Sequence, residues 1–105
     1  MSNKILYNVT IKILKPLAEE WLHWMKEVHI PDVMASTKFE SFKLSEIIEE
    51  DEQGRTFAIQ YMCRNMDEFM EYQSEFAKKL QKEHAERYKD KYVAFRTLMN
   101  ILSEG

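Results

Sequence analysis

Ile5, Tyr7, Val9, Ile11 and Ile13 alternate with Leu6, Asn8, Thr10, Lys12 and Leu14, so the chain opens on a period of two. That period predicts a strand with one strongly apolar face. Pro16 then suits the first turn of a helix, and Leu17, Trp21, Trp24, Met25 and Val28 recur at helical spacing. The residue before a proline is pushed out of the helical region, so Pro31 predicts a helix end near His29. Phe39 to Ile48 and Arg55 to Cys63 are rich in strand-forming residues, and Glu49-Glu50-Asp51-Glu52-Gln53-Gly54 joins them. A charged connection with one glycine between two such runs reads as a hairpin.

Asn65 followed by Glu68 resembles a capping box, and Phe69, Gln73, Phe76, Leu80 and His84 form one stripe of the helix behind it. Lys78, Lys79, Lys82, Arg87 and Lys89 crowd its C-terminal half, where positive charge complements the helix dipole. From Lys91 to Leu102 the alternation returns, with Val93, Phe95, Thr97, Met99 and Ile101 as the more apolar row. The order is therefore βαββαβ, without internal sequence repeat or low-complexity tract. Breakers agree with these boundaries: apart from Gly105, the only glycine or prolines are Pro16, Pro31 and Gly54. The economical packing is the ferredoxin-like α+β layout, a four-stranded antiparallel sheet with both helices on one face.

A sheet covered on one side has a second side. If the apolar rows face the helices, the other face carries Leu6, Asn8, Thr10, Leu44, Ala58, Gln60, Met62, Ala94, Arg96 and Leu98. That surface is too apolar to stay wet, which predicts a homodimer packed sheet on sheet, with Leu6, Met62 and Leu98 near its two-fold axis. Asn8, Gln60 and Arg96 would form a polar network across the same interface.

Leu6-Tyr7-Asn8-Val9-Thr10, Trp21-Leu22-x-Trp24-Met25-x-x-x-His29-Ile30-Pro31-x-Val33, Gln60-Tyr61 and Phe95-Arg96-Thr97 resemble a bacterial family of unknown function. That family sits within the dimeric α/β-barrel (antibiotic-biosynthesis-monooxygenase-like) superfamily. The resemblance covers nearly the whole chain and implies the fold and the dimer. Superfamily relatives include cofactor-independent monooxygenases, haem-degrading enzymes, muconolactone-isomerase-like proteins and ligand binders, so function does not travel with it. The haem-degrading branch uses a first-strand asparagine with a tryptophan and a histidine on the second helix. Asn8 and His84 look similar, but Asn8 lies opposite the apolar row, and the second helix carries Tyr72 and Phe76 in place of tryptophan.

Composition narrows the classes of function. The 105 residues, 45% hydrophobic and 31% charged, fit one globular domain over residues 1–105. No run nears the roughly 18 apolar residues of a membrane span, and Met1-Ser2-Asn3-Lys4 leads straight into the first strand, which predicts a cytoplasmic protein with no membrane role. Fifteen basic against 18 acidic residues leave a charge of −3, no field for nucleic acid. RNA-recognition domains share the element order, yet Arg55-x-Phe57-Ala58 has Thr56 at the glycine of their third-strand motif and Ile59 at a stacking aromatic. Cys63 is alone, and His23 and His29 diverge on a helix, so neither metal nor cofactor is expected.

The remaining partner is a small apolar or aromatic molecule. Tyr7, Trp24, Tyr61 and His84 are placed to wall a helix-to-sheet cleft with His29 at its mouth. Trp21 belongs to the core stripe, and His23 points to solvent. His84 and His29 are the candidate catalytic groups should the protein be a cofactor-independent monooxygenase-like enzyme. The same side chains could instead fill the space, leaving a non-enzymatic interaction dimer.

Overall fold

Strand β1 (Ile5–Leu14) lies inside the sheet because both of its edges are taken, by β3 (Gly54–Cys63) on one side and β4 (Tyr92–Asn100) on the other. Strand β2 (Phe39–Glu46) pairs with the far edge of β3, which completes the order β2-β3-β1-β4 with every pairing antiparallel. The protein's computed structural model describes residues 3–105, and Met1 and Ser2, the start of the stretch read as leaderless, lie outside the described residues. Two helical arms cross one face of this sheet. The first is α1 (Ala18–Trp24), a π-helical turn (Met25–His29) and α2 (Ile30–Met34); the second is α3 (Met66–Tyr72), another π-helical turn (Gln73–Ala77) and α4 (Lys78–Arg87). The ferredoxin-like layout expected from the element order is therefore the observed one.

The core lies between the arms and the sheet. Ile5, Tyr7, Val9, Ile11 and Ile13 all point into it, with Phe57, Ile59 and Tyr61 beside them on β3 and Trp21, Met25, Ile30 and Val33 above. The tight end of the hairpin depends on Gly54: a side-chain carbon there would stand 2.9 Å from the carbonyl oxygen of Ile13. Asp51 holds the approach by accepting the backbone N–H groups of Gln53 (2.8 Å) and Gly54 (3.2 Å) while pairing with Lys12. Asn65 caps α3, its side-chain oxygen accepting the Glu68 N–H at 2.9 Å. The Glu68 carboxylate pairs with Lys38 and Arg64.

Three expectations change. The first arm does not end at His29 but runs through Pro31 to Met34, because the π turn supplies what an α-helix cannot. A proline clashes with the carbonyl four residues back and donates no hydrogen bond; here the backbone of Ile30 reaches five residues back to Met25, and Pro31 opens a fresh α-helical turn. The extra residue also rotates the frame, so Val28 faces solvent while Ile30 and Val33 are buried. The second π turn does the same to the other stripe: Tyr72 is buried and Gln73 exposed.

The third change concerns the outer strand. Antiparallel pairing sets Ala94 opposite Ile11, Arg96 opposite Val9 and Leu98 opposite Tyr7, so these residues share the helix side of the sheet. Arg96 and Leu98, expected on the open face at the dimer interface, are therefore on the other side. Leu44, opposite Ile59, joins them. The open face shows Val93, Phe95, Thr97 and Met99 in their place, beside Leu6, Asn8, Gln60, Met62 and Ala58. Both rows of β4 are half apolar, so periodicity could not choose between them; pairing with β1 did.

Candidate functional site

Between arms and sheet a void of about 30 Å³ remains, room for one or two water molecules. Tyr7, Val9 and Ile11 of β1, Ile59 and Tyr61 of β3, and Tyr92, Ala94 and Arg96 of β4 form its floor. Met25, His29 and Val33 of the first arm and Tyr72, Leu80, Gln81 and His84 of the second close it from above. Of the five residues expected to wall a cleft, Tyr7, His29, Tyr61 and His84 meet here. Trp24 stands one layer back, stacked on the His29 ring with centroids 5.1 Å apart and its other neighbours His84 and Tyr88. The Arg87 guanidinium covers Trp24 at 5.2 Å.

The two histidines come from positions 55 apart on different arms, and their rings meet nearly edge to face at 5.7 Å. His84 is pinned from two sides: Trp21 Nε1 donates to its Nε2 at 2.9 Å, and Tyr92 meets its ring edge-on at 4.5 Å. Accepting the indole proton requires a lone pair on Nε2, which assigns the neutral ring's proton to Nδ1. Burial drives His84 down to about 4, helped by His29 and by the Arg96 charge. His29 falls to about 4 for the same first reason, with Asp32 opposing and Arg96 assisting. Its Nδ1 is buried without a hydrogen-bond partner. A π turn is a recurrent way to aim a side chain inward, and His29 closes one.

Four phenols, Tyr7, Tyr61, Tyr72 and Tyr92, complete the polar lining. Burial raises Tyr7, Tyr61 and Tyr72 above the ordinary tyrosine value, and in Tyr61 and Tyr72 neighbouring phenols push the same way. Tyr7 is pulled back by the Arg96 charge and by hydrogen bonding to Arg96 and Gln81. The lining is therefore neutral at pH 7 except for Arg96. No group of three or more histidine, cysteine, aspartate or glutamate residues among those described could hold a metal ion, and no described helix is long and apolar enough to cross a membrane.

Tyr72, Gln81, Tyr92 and Arg96 are lining residues that sequence reasoning did not place in the cleft. Arg96 was assigned to the opposite face, and Tyr72 lay off a stripe drawn without the π turn. Gln81 and Tyr92 had only their adjacency to Leu80 and to the first residues of the last strand as signals. The open-face candidates Leu6, Asn8, Gln60 and Met62 do share one surface, where Asn8 Nδ2 donates to Thr10 Oγ1 at 2.9 Å.

An arrangement of this kind, a four-stranded antiparallel sheet roofed on one side, defines the ferredoxin-like class whose members include dimeric α/β barrels. Residues 4–102 match the model of the family described as a domain of unknown function (DUF4286), and the chain belongs to that family. Among curated proteins none matches. Solved structures resemble it closely in backbone and distantly in sequence. A dimeric ferredoxin-like protein from an uncultured marine organism superposes with TM-score 0.72 at 8% identity, covering 97% of this chain and 98% of that one. An EthD-like protein from Ralstonia eutropha gives 0.71 at 11% identity, with 100% and 97% covered. SnoaB, a cofactor-independent oxygenase from Streptomyces nogalater, gives 0.67 at 10% identity, with 98% and 97% covered. At such identities the likeness is one of fold.

Proposed function

We propose that the protein is a homodimer of the α/β-barrel type that binds a small apolar or aromatic molecule in the helix-to-sheet cleft. The observation that carries the binding reading is a void between the layers, lined by aromatic rings and by a histidine whose Nδ1 has no partner. Native interiors leave few buried polar atoms unpaired, and a ligand or water at this point would pair it. A ring is larger than this void, so its entry requires the half-buried Gln81 side chain to turn outward, and no salt bridge to a described residue fixes that side chain. Binding ranks ahead of oxygenase chemistry because a general base works best near the operating pH, and both imidazoles are held near 4.

Support for the dimer comes from the open face. Val93 and Phe95 are 66% and 64% exposed beside Leu6, Ala58, Met62 and Met99, an apolar surface that a second copy of the sheet would cover. Light scattering is expected to give twice the 12.7 kDa chain mass, and Phe95→Asp to shift the equilibrium to monomer, because the carboxylate would lose water without gaining a partner. A native chain that scatters as a monomer at micromolar concentration sinks the dimer. For the cleft, small aromatics are expected to move the imidazole C–H resonances of His29 and His84 saturably while leaving exposed His23 in place. A broad panel that moves neither leaves the interaction dimer with a filled core.

A further inference from the structure

We infer that the molecule taken into the cleft is an anion: a single planar ring bearing one carboxylate or ionised hydroxyl, held with its charged oxygen at Arg96. This rests on the proposed small-molecule site and specifies its ligand class. Arg96 is the one formally charged side chain on the lining, and no carboxylate shares the cavity with it. None of the described salt bridges includes Arg96. Its charge nevertheless reaches inward, where it acts on Tyr7, Tyr72, His29 and His84.

Arg96 is exposed to water and Asp32 opposes its effect on His29, but no carboxylate of the lining pairs with it. Burial holds Tyr7, Tyr61 and Tyr72 in their protonated form, so none of them becomes the missing anion near neutral pH. Burial likewise keeps the two histidines uncharged, with the Arg96 charge assisting. An anion arriving from solvent would meet no competing carboxylate on the lining, and the groups around Arg96 suit an oxygen anion. The guanidinium offers a planar fork, and the Tyr7 hydroxyl and the Gln81 amide, both already in hydrogen-bonding relation with one another or with Arg96, add donors from two other elements. Aromatic walls from Tyr7, Tyr61 and Tyr72 accept the flat face of a ring, and His29 Nδ1 remains for a second polar substituent. A cation would meet Arg96 head-on and is excluded by the same field.

Benzoate and benzamide separate charge from shape, since they are nearly isosteric and only the first is ionised at pH 7. Both are titrated into the full-length protein while the imidazole C–H resonances of its three histidines are followed. Benzoate is expected to shift His29 and His84 with an affinity about tenfold or more above that of benzamide, the difference one charge-assisted hydrogen bond supplies. Arg96→Gln is expected to bring benzoate down to the benzamide level. Equal affinity for the two probes, with the same two histidines shifted, overturns the anion and leaves the small-molecule site standing. Preferential benzoate binding that survives in Arg96→Gln, or that shifts His23 alone, overturns the assignment to this cleft. If neither probe moves His29 or His84, the anion falls, and the small-molecule reading falls with it when the broad panel is equally silent.

Discussion

Two aromatic clusters share the layer between helices and sheet, and they use burial to opposite ends. Toward one end Tyr7, Phe39, Tyr61, Phe69 and Tyr72 pack ring on ring, with Phe39 and Tyr72 edge-on at 4.7 Å and Tyr7 tilted on Phe69 at 5.1 Å. Toward the other, Trp21, Trp24, Tyr88 and Tyr92 surround His29 and His84. Both clusters are shielded from water, but the groups they hide titrate on opposite sides of neutrality. Burial moves a phenol further above pH 7, so the first cluster keeps its charge state across the physiological range. It moves an imidazole below pH 7, so the second keeps its charge state only until acid reaches it. Equal desolvation thus makes one cluster inert and gives the other the acid limit of the fold.

The severest way to break that contrast is to empty each cluster in turn. Trp21→Ala and Phe69→Ala are each expected to cost about 3–5 kcal/mol, read as the loss in denaturant unfolding at pH 7. The two should then part company in acid. Removing Trp21 takes away the donor that requires an unprotonated His84 Nε2 and lets water reach the ring, so the dependence of stability on pH flattens. Phe69→Ala should leave that dependence as it is in the native protein. Identical acid profiles for the two variants would mean that the clusters do not differ in the way described.

Next in size is the acid dependence itself. Unfolded histidines take up protons near 6.5, whereas His29 and His84 in the folded chain remain neutral down to about 4. Between those values the unfolded state binds more protons than the folded one, so stability is full above about 6.5 and falls as pH drops toward 4. The loss at the bottom of this window is about 2–3 kcal/mol for each histidine, measurable as unfolding free energy in a pH series. His84→Gln, which keeps an acceptor for the Trp21 indole, should remove roughly half of the slope. An unchanged slope in that variant would move the origin of acid sensitivity elsewhere.

The smallest effect separates the arms that carry the clusters. Asn65→Ala removes the side-chain cap of α3 and should cost about 1 kcal/mol in the same unfolding measurement. No comparable substitution exists in the first arm, whose start at Lys15–Leu17 has a proline and no side-chain cap. A loss near zero would show that the second arm is held by its buried face alone.

Much of this architecture was legible because local periodicity is a local property. The alternation from Ile5 to Ile13, the helical stripes through Trp21 and Leu80, the hairpin at Gly54 and the cap at Asn65 each depend on residues within a few positions of one another, and each is present. Two devices were hidden within that local pattern. A π turn leaves no mark on composition, yet it carried the first arm past Pro31, turned Val28 outward and brought Tyr72 inward. Glycine was also no guide to where the arms end, since Thr37 and Asp90 take the left-handed conformation there themselves.

The sequence by itself determined which residues share a row: Val93 with Phe95, Thr97 and Met99, and Ala94 with Arg96 and Leu98. Which row met the helices was decided only by the tertiary structure, through the pairing of Ala94 with Ile11 and Arg96 with Val9. That choice turned Phe95 to the open face and brought Arg96 to the cavity. The meeting of His29 with His84, and of His84 with Trp21, was decided in the same way. Period follows from the geometry of one segment, whereas phase and proximity depend on what the neighbouring segments bury, and that is settled only when the layers close.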